Sequence, residues 1–493
     1  MNIRGTRKLT HSWKRILLIT PNSLKVGLNF YQTRFDAPPL NLAYIASYLT
    51  DLNVEVEIID AKVNRLSDKQ LKRKIKKFKP DIVGISVTFT TVVNICYDIA
   101  KIVKEIDHKC IVVFGGQHPT AVPDDTLKVN EVDIVVRGEG ELTFRELIKK
   151  GTPENVKGIS YKSNGLIIHN PDRDLIKDLG TLRLPARHLI KKNKYKMFSV
   201  RFDTLETSRG CPHRCKFCYT PVFNKGLWRT RPVENIITEL KVISQNRKIS
   251  DIFIIDDNLT ANPHRIEKLS ERIIECKKKK EINDFFFTAQ MRVDAIVKSP
   301  QMIKKMAEAG LCAVFIGIES PKKKVLDEIG KKISFNMALK AIEILHKYNI
   351  IIASNMIIGF DLYATEEDIK EEIKFMKKVD VDELSFNLLG PFPGTPILKE
   401  FQEKNLIVTK DWSKYTYHNP VFETYQLNQK KLRELLIYAY KEISYLNNGI
   451  RKIQRLLKLR GWLFVLNLSR IYLLVQSAIK RKILLNNYSK ELN

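Results

Sequence analysis

A chain of 493 residues, 44% hydrophobic and 28% charged, is too long for one ordinary core and predicts about two to four folded domains. That balance excludes a disordered or fibrous protein. Lys and Arg number 84 against 55 Asp and Glu, a formal charge of +29, which reads either as lysine-rich solvated faces, as at 277–280, or as steering toward phosphate-bearing or membrane-surface partners.

From residue 13 to 150, Val/Ile-rich runs at 16–19, 54–59, 82–87, 111–114 and 134–136 alternate with helix-period stretches such as Leu42-Ala43, Ile45-Ala46 and Leu49. Continuous apolar runs separated by helices predict a parallel sheet covered on both faces. Five such units predict an α/β, doubly wound, flavodoxin-like domain with its ligand site at the carboxyl ends of the strands. Residues 151–200 lose this rhythm; Asn164-Gly165 signals a hairpin, and the stretch reads as a linker with a small β-ribbon.

A second alternating block fills 201–397, with strand candidates at 203–207, 252–255, 285–289, 313–318, 353–358 and 384–388. Six units predict a partial or complete parallel (β/α)6 barrel. Polar residues follow several strands, at Arg209, Asp256-Asp257-Asn258, Gln290, Glu319-Ser320 and Asn387, on the rim where barrels do chemistry. Residues 398–493 turn helical and basic, with no acidic residue between 443 and 490.

The cysteines are Cys96, Cys110, Cys211, Cys215, Cys218, Cys276 and Cys312. Seven is an odd number, and the basic N-terminus has no apolar stretch long enough for a signal peptide. A reducing, cytoplasmic setting is therefore expected rather than a disulfide scaffold. Three of the seven fall in one loop, Cys211-Pro212-His213-Arg214-Cys215-Lys216-Phe217-Cys218. Three thiolates cannot close a tetrahedral zinc site without a fourth ligand, for which His213 has an awkward reach. On a [4Fe-4S] cluster they leave one iron open for a substrate or cofactor.

Cys-x3-Cys-x2-Cys, with an aromatic before the last cysteine and a strand before the first, resembles the radical S-adenosylmethionine (SAM) superfamily. The resemblance implies that Cys211, Cys215 and Cys218 ligate the cluster and that its open iron chelates the amino and carboxylate groups of SAM. It places Asp256 and Asp257 where related enzymes hold the methionine moiety, Gln290 at the third strand end, and Glu319 and Ser320 in the SAM-contacting segment. Met356 is read as core. An aspartate pair after a strand also reads as a helix cap.

The first block resembles the cobalamin-binding domain that precedes this barrel in the cobalamin-dependent class. The likeness rests on 38–46, on Gly84 and Ser86, on Gly115-Gly116-Gln117-His118, and on Gly138-Glu139. The glycines remove side chains where a bulky ligand approaches backbone N–H groups, or else are ordinary turns. Other cobalamin proteins carry Asp-x-His-x-x-Gly after the first strand; here residues 21–27 contain no histidine. Either cobalamin binds without a protein lower ligand or the domain has lost it; His118 is the one histidine on an expected site-facing loop.

The resemblance implies that one electron passed through the cluster splits SAM into methionine and a 5′-deoxyadenosyl radical, which removes hydrogen from an unactivated carbon. Cobalamin then provides the methyl group, and a second SAM restores it. The implied partners are a small-molecule or lipid substrate and an external electron donor such as flavodoxin or ferredoxin. Rival readings are a cobalamin-dependent cyclase or rearrangement enzyme, a tRNA-modifying methylthiotransferase, and a non-catalytic cobalamin-binding module. Nucleic acid is not favoured, because only Cys96 and Cys110 precede the barrel, too few for the second cluster of the methylthiotransferases. Near the C-terminus, 462–479 is apolar around Arg470. It reads either as a helix packed on the barrel or as an interfacial helix giving peripheral membrane contact.

Overall fold

The computed structural model describes residues 12–26, 36–190, 194–197, 200–442, 454–455 and 457–458. Gly27 of the first loop, and the tail from 459 onward with its apolar stretch and Arg470, lie outside the described residues. Two compact units are present: the first takes residues 12–26, 38–177 and 181–190, the second the remainder.

In the first unit, strands β1 (Arg15–Thr20), β2 (Glu55–Asp60), β3 (Ile82–Ser86), β4 (Ile111–Gly115) and β5 (Ile134–Val136) form a parallel sheet in the order 2-1-3-4-5. The order reverses between β1 and β3, and such a switch point opens a crevice at the strands' carboxyl ends. The helices follow their sequence signals. Asp68–Phe78 starts on a reciprocal Ser67–Gln70 capping box and buries Leu71, Ile75 and Phe78, spaced for one face. Ile16, Leu18, Ile82, Val113, Phe144 and Leu147 are core.

The ribbon expected in the linker forms as β6 (Ile159–Ser163) and β7 (Leu166–His169), turning through Asn164 and Gly165 at positive φ. It is part of the sheet rather than a free linker, because β6 pairs antiparallel with β5. A bare β5 edge would leave its backbone groups unpaired, and the ribbon covers it.

The second unit holds β8 (Lys196–Met197), β9 (Val200–Leu205), β10 (Ser208–Gly210), β11 (Trp228–Thr230), β12 (Asp251–Ile254), β13 (Phe286–Met291), β14 (Leu311–Glu319), β15 (Ile351–Ile358) and β16 (Glu383–Leu388). Six of these, β9 and β12 to β16, lie side by side in chain order, all parallel, with β8 on the outer edge and β16 at the other end. This is a curled half-barrel. On β14 to β16 alternate residues, Phe315, Gly317, Asn355, Ser385 and Asn387 among them, stay half-buried on the concave face. Their neighbours Ile316, Ile318, Met356, Phe386 and Leu388 are buried, which places Met356 in the core.

Strand β10 pairs not with the barrel but with β11, in a short antiparallel hairpin. The helix Gln429–Glu442 buries Leu432, Leu435, Leu436 and Ala439, and its Tyr440 hydroxyl donates to the Phe386 carbonyl at 2.6 Å. Arg455 pairs with Asp382, whose side chain is fully buried at the start of β16. Among the described residues no helix is long and apolar enough to cross a membrane.

Candidate active site

The hairpin β10–β11 carries Cys211, Cys215 and Cys218 in its connection, all three half-buried. Gly210 enters this loop at φ +90; a Cβ there would sit 2.1 Å from the Leu227 carbonyl oxygen, so only glycine fits. Lys216 ties the loop to the barrel rim through its backbone. Its N–H donates to the Ile329 carbonyl at 2.9 Å, and its carbonyl accepts from Ile397 at 3.1 Å. The Phe217 ring packs on Phe360, 5.2 Å between centroids, just beyond β15.

Two adjacent carboxylates brace the loop from beneath. Asp256, 1% exposed, accepts from the Thr207 N–H at 2.6 Å, the Thr207 hydroxyl at 2.6 Å and the Ser208 hydroxyl at 2.5 Å. Burial pushes its carboxyl pKa up against the pull of those bonds. Asp257 opens to solvent at the rim and accepts from the Gly210 N–H at 3.3 Å and the Thr220 hydroxyl at 2.9 Å. It thereby spans both ends of the cysteine loop, and the protein crowding it raises its pKa too. Asp256→Ala strands three donors, each worth about 1–3 kcal/mol when left unmet. We expect this variant to lose at least about 2 kcal/mol in urea unfolding and to bind less iron on reconstitution.

The sulfurs have polar neighbours. Asn258, buried, points its amide N–H at Cys211 Sγ (3.6 Å), and Arg292 brings a guanidinium N–H to 4.0 Å from Cys215 Sγ. Arg292 is itself fixed by Asp294 at 2.9 Å and by the Lys331 carbonyl at 2.7 Å. As free thiols Cys211 and Cys218 are pushed up by burial, Cys218 to about 11, so metal loading releases protons from them. Among the described residues no three His, Cys, Asp or Glu groups are gathered around one metal ion. A four-iron cluster instead takes each thiolate on a different iron.

Beyond the loop, Glu319 ends β14 at φ +66, with a Lys331 ammonium 2.5 Å from Oε1. A Cβ at Gly317 would lie 2.2 Å from that oxygen, so Gly317 makes room for the pair. Glu319 Oε2 is buried and has no hydrogen-bond partner among the described residues. A buried acceptor left unpaired is costly, and a ligand hydroxyl or ammonium would satisfy it. Gln290 is exposed near the end of β13, where its register partner is Phe315, four residues before Glu319. Ser320 faces elsewhere: its hydroxyl bonds Glu372 at 3.2 Å and accepts from the Lys322 N–H. The donor set thus fits a cluster on three cysteines, with the buried Glu319 oxygen as the acceptor that SAM could meet.

At the carboxyl rim of the first unit, Ser86 accepts from the Asn41 amide at 2.7 Å and meets the Thr88 hydroxyl at 3.1 Å. Across the rim, the Thr120 hydroxyl donates to the Gly116 carbonyl and accepts from the Gly138 N–H. Gly116, at φ +118, would place a Cβ 2.5 Å from the Val87 carbonyl oxygen, whereas Gly138 faces open space and Gly115 merely contacts Val136. These uncharged hydroxyl, amide and backbone groups suit a large neutral ligand with many amides, as cobalamin is. Asn41 lies inside the segment 38–46 that carries the resemblance and Thr120 just after Gly115-Gly116-Gln117-His118, though neither was singled out; Thr88 escaped the sequence reading, its signal being a short polar residue just past the end of β3.

Three expected positions are taken up by the unit's own packing and hydrogen bonds. Gly84 is in mid-strand, where Leu18 and Phe144 fill the space a side chain would need. Glu139, nearly buried, accepts from the Ile176 N–H at 2.7 Å. His118 is 1% exposed with Nδ1 3.1 Å from the Thr90 hydroxyl, and burial lowers its pKa to about 4, so it is neutral at physiological pH.

A cysteine-loop half-barrel preceded in the chain by a 2-1-3-4-5 α/β unit defines a radical SAM enzyme of the cobalamin-binding class. The B12 binding domain model matches residues 30–148 and the Radical SAM superfamily model residues 205–376. An uncharacterized methyltransferase of Pyrococcus horikoshii is 37% identical over 431 residues, 86% of this chain and 91% of that one. The anaerobic magnesium-protoporphyrin IX monomethyl ester cyclase of Rubrivivax gelatinosus is 25% identical, covering 87% and 77%. The cobalamin-dependent SAM radical enzyme OxsB, solved with aqua-cobalamin and SAM bound, shares the fold at 19% identity, with a TM-score of 0.68 over 97% of this chain and 80% of that one. The chain belongs to the cobalamin-dependent radical SAM methyltransferase family. Its cofactors are a [4Fe-4S] cluster, SAM and cobalamin.

Proposed function

We propose that this chain methylates an unactivated carbon of a small-molecule or lipid substrate. When bound, the cluster and SAM supply a 5′-deoxyadenosyl radical and cobalamin supplies the methyl group. The chain's residues do the placing. Cys211, Cys215 and Cys218 hold three irons; Asp256 and Asp257 brace their loop; Glu319, Gln290 and Lys331 orient SAM; Asn41, Ser86, Thr88, Gly116 and Gly138 line the cobalamin rim. No acid–base pair is required, and tight positioning contributes most where a reactive radical must meet one carbon. The observation that carries the reading is the braced loop of half-buried cysteines on the same barrel unit as a buried Glu319 oxygen with no hydrogen-bond partner among the described residues.

Methyl transfer is favoured over ring formation because the 37% identical relative is named as an uncharacterized methyltransferase, whereas the cyclase stands at 25%. Seven unbridged thiols support a cytoplasmic setting. The test is anaerobic reconstitution with iron, sulfide and hydroxocobalamin, followed by SAM and dithionite. We expect 5′-deoxyadenosine and S-adenosylhomocysteine together, the latter from methyl donation by a second SAM. A cyclase would give deoxyadenosine alone, and neither product would leave a binding module.

A further inference from the structure

We propose that the outer face of the helix Asp68–Phe78, in the first unit, is a docking surface for an anionic lipid bilayer. The inference goes beyond the methylation reading and does not rest on it. From 61 to 80 the chain has nine basic residues and one acidic residue, Asp68. Leu71, Ile75 and Phe78 are buried and define the helix's inner side. At about 100° per residue, Lys69, Arg73, Lys76 and Lys77 all project within about 60° of the opposite direction, along about 12 Å of axis. All four are exposed, and exposed Lys79 follows as the C-cap at φ +53. Among the described residues none of these five cations has a carboxylate partner. The nearby acids are otherwise engaged. Glu105 holds Lys72 at 2.6 Å, Asp98 faces Lys101 at 4.0 Å, and Glu55 on β2 holds Arg15 at 3.2 Å. Glu57, exposed on β2, pairs with none of the five, and Asp68 sits in the first turn, where it complements the helix dipole.

A lysine-rich composition does not account for this stripe. On other helices lysines are interleaved with acids and paired one turn away, Lys279 with Glu275, Lys323 with Asp327, Lys370 with Glu366 and Lys404 with Glu400. Here Lys69 and Arg73, then Arg73 and Lys77, set like charges one turn apart, which weakens a helix. The dipole favours cations in the last turn only, so it explains Lys76 and Lys77 but not Lys69 or Arg73. What the face recognises follows from its chemistry. No apolar or aromatic side chain of the helix is exposed, whereas protein interfaces are built round an apolar core and are poor in lysine. Single-stranded RNA is held by stacking on aromatic rings. Four of the five free cations are lysines, point charges without the bidentate fork that grips phosphates one by one. A plane of anionic headgroups asks only for charge held within a Debye length of it. The capping box and the three buried anchors keep the row of cations in place on the unit's surface.

The test is co-sedimentation of the full-length protein with vesicles of equal parts phosphatidylcholine and phosphatidylglycerol, with pure phosphatidylcholine as the reference. It requires neither cluster nor cobalamin, so its outcome is separate from that of the methylation assay. Binding to the mixed vesicles should exceed binding to the neutral ones and weaken as salt rises. In Lys69→Gln/Arg73→Gln/Lys76→Gln it should fall at least about tenfold. Lys268→Gln/Lys278→Gln/Lys280→Gln removes the same number of exposed charges on and just after the helix Pro263–Lys278 of the second unit. That variant should bind within about twofold of the unaltered protein, because its charges are not part of the stripe. The thermal midpoint of the first variant should hold or rise as like-charge repulsion is relieved, which separates lost binding from lost folding. Equal falls in the two variants, equal binding of the unaltered protein to neutral vesicles, or loss of tRNA affinity in the first variant with vesicle affinity intact would overturn the proposal.

Discussion

With Cys211→Ala, Cys215→Ala and Cys218→Ala combined, the reconstituted protein is expected to lose its cluster absorbance and all SAM cleavage, yet retain hydroxocobalamin at the unaltered level. The reason for the first loss is that each thiolate holds a different iron, so no remaining group can take its place. His213 is in the same loop, but its half-buried ring alone offers one nitrogen where three sulfurs are needed. The other four cysteines cannot substitute. Cys276 and Cys312 are buried in the second unit's interior, and Cys96 and Cys110 are buried in the first, where desolvation holds their thiols protonated, Cys110 up to about 12. Cobalamin retention is expected to persist because the Asn41–Ser86–Thr88 row belongs to a unit with its own sheet and core. Iron and sulfide analysis, with spectra before and after gel filtration, reads both outcomes. Undiminished iron, or loss of cobalamin with the cluster, would refute the assignment. Cys276→Ala serves as the matched control and should keep the cluster.

Much of this was legible in the sequence because the signals were local. Val/Ile runs mark parallel strands by composition alone, and five in the first block and six in the second lie where those runs predict, within a few residues. The three-cysteine loop and Asp256-Asp257 stand out because chemistry-bearing residues crowd a short span. Register was harder. The first barrel strand was expected at 203–207 but runs from Val200 to Leu205. Asp203 and Thr204 break its apolar pattern, and Thr207 and Ser208 turn away to meet Asp256. Contacts across long sequence separations were not legible at all. Arg292 reaches Cys215 over 77 residues, and Lys331 meets Glu319 only because the chain loops back beside β14. No periodicity encodes such meetings. The resemblance to known families supplied the cofactors, whereas the bracing of the loop came from the geometry.

Arg231→Met is expected to destabilise the second unit by about 3–5 kcal/mol, the cost of leaving one partner of a buried ion pair without the other. Arg231 follows β11 directly, and its guanidinium donates to Glu239 Oε2 and to the Glu206 carbonyl, each at 2.6 Å. Both charged side chains are 1% exposed, so water cannot stand in for the missing cation. Replacing both partners should behave differently: in Arg231→Met/Glu239→Leu no buried charge remains, and most of the lost stability should return. The two variants nevertheless share a local defect. Arg231 also donates its backbone N–H to the Thr207 carbonyl, at the residue whose other groups are held by Asp256, and Arg265 bonds both the Thr207 and Arg231 carbonyls. The guanidinium adds its own bond to the Glu206 carbonyl, one residue before Thr207, to those that orient the strand ends from which the cysteine loop springs. In the double variant the unfolding midpoint is therefore expected to return while iron retention and the cluster's reduction potential stay displaced; recovery of the iron content together with the midpoint would show instead that the pair serves only stability.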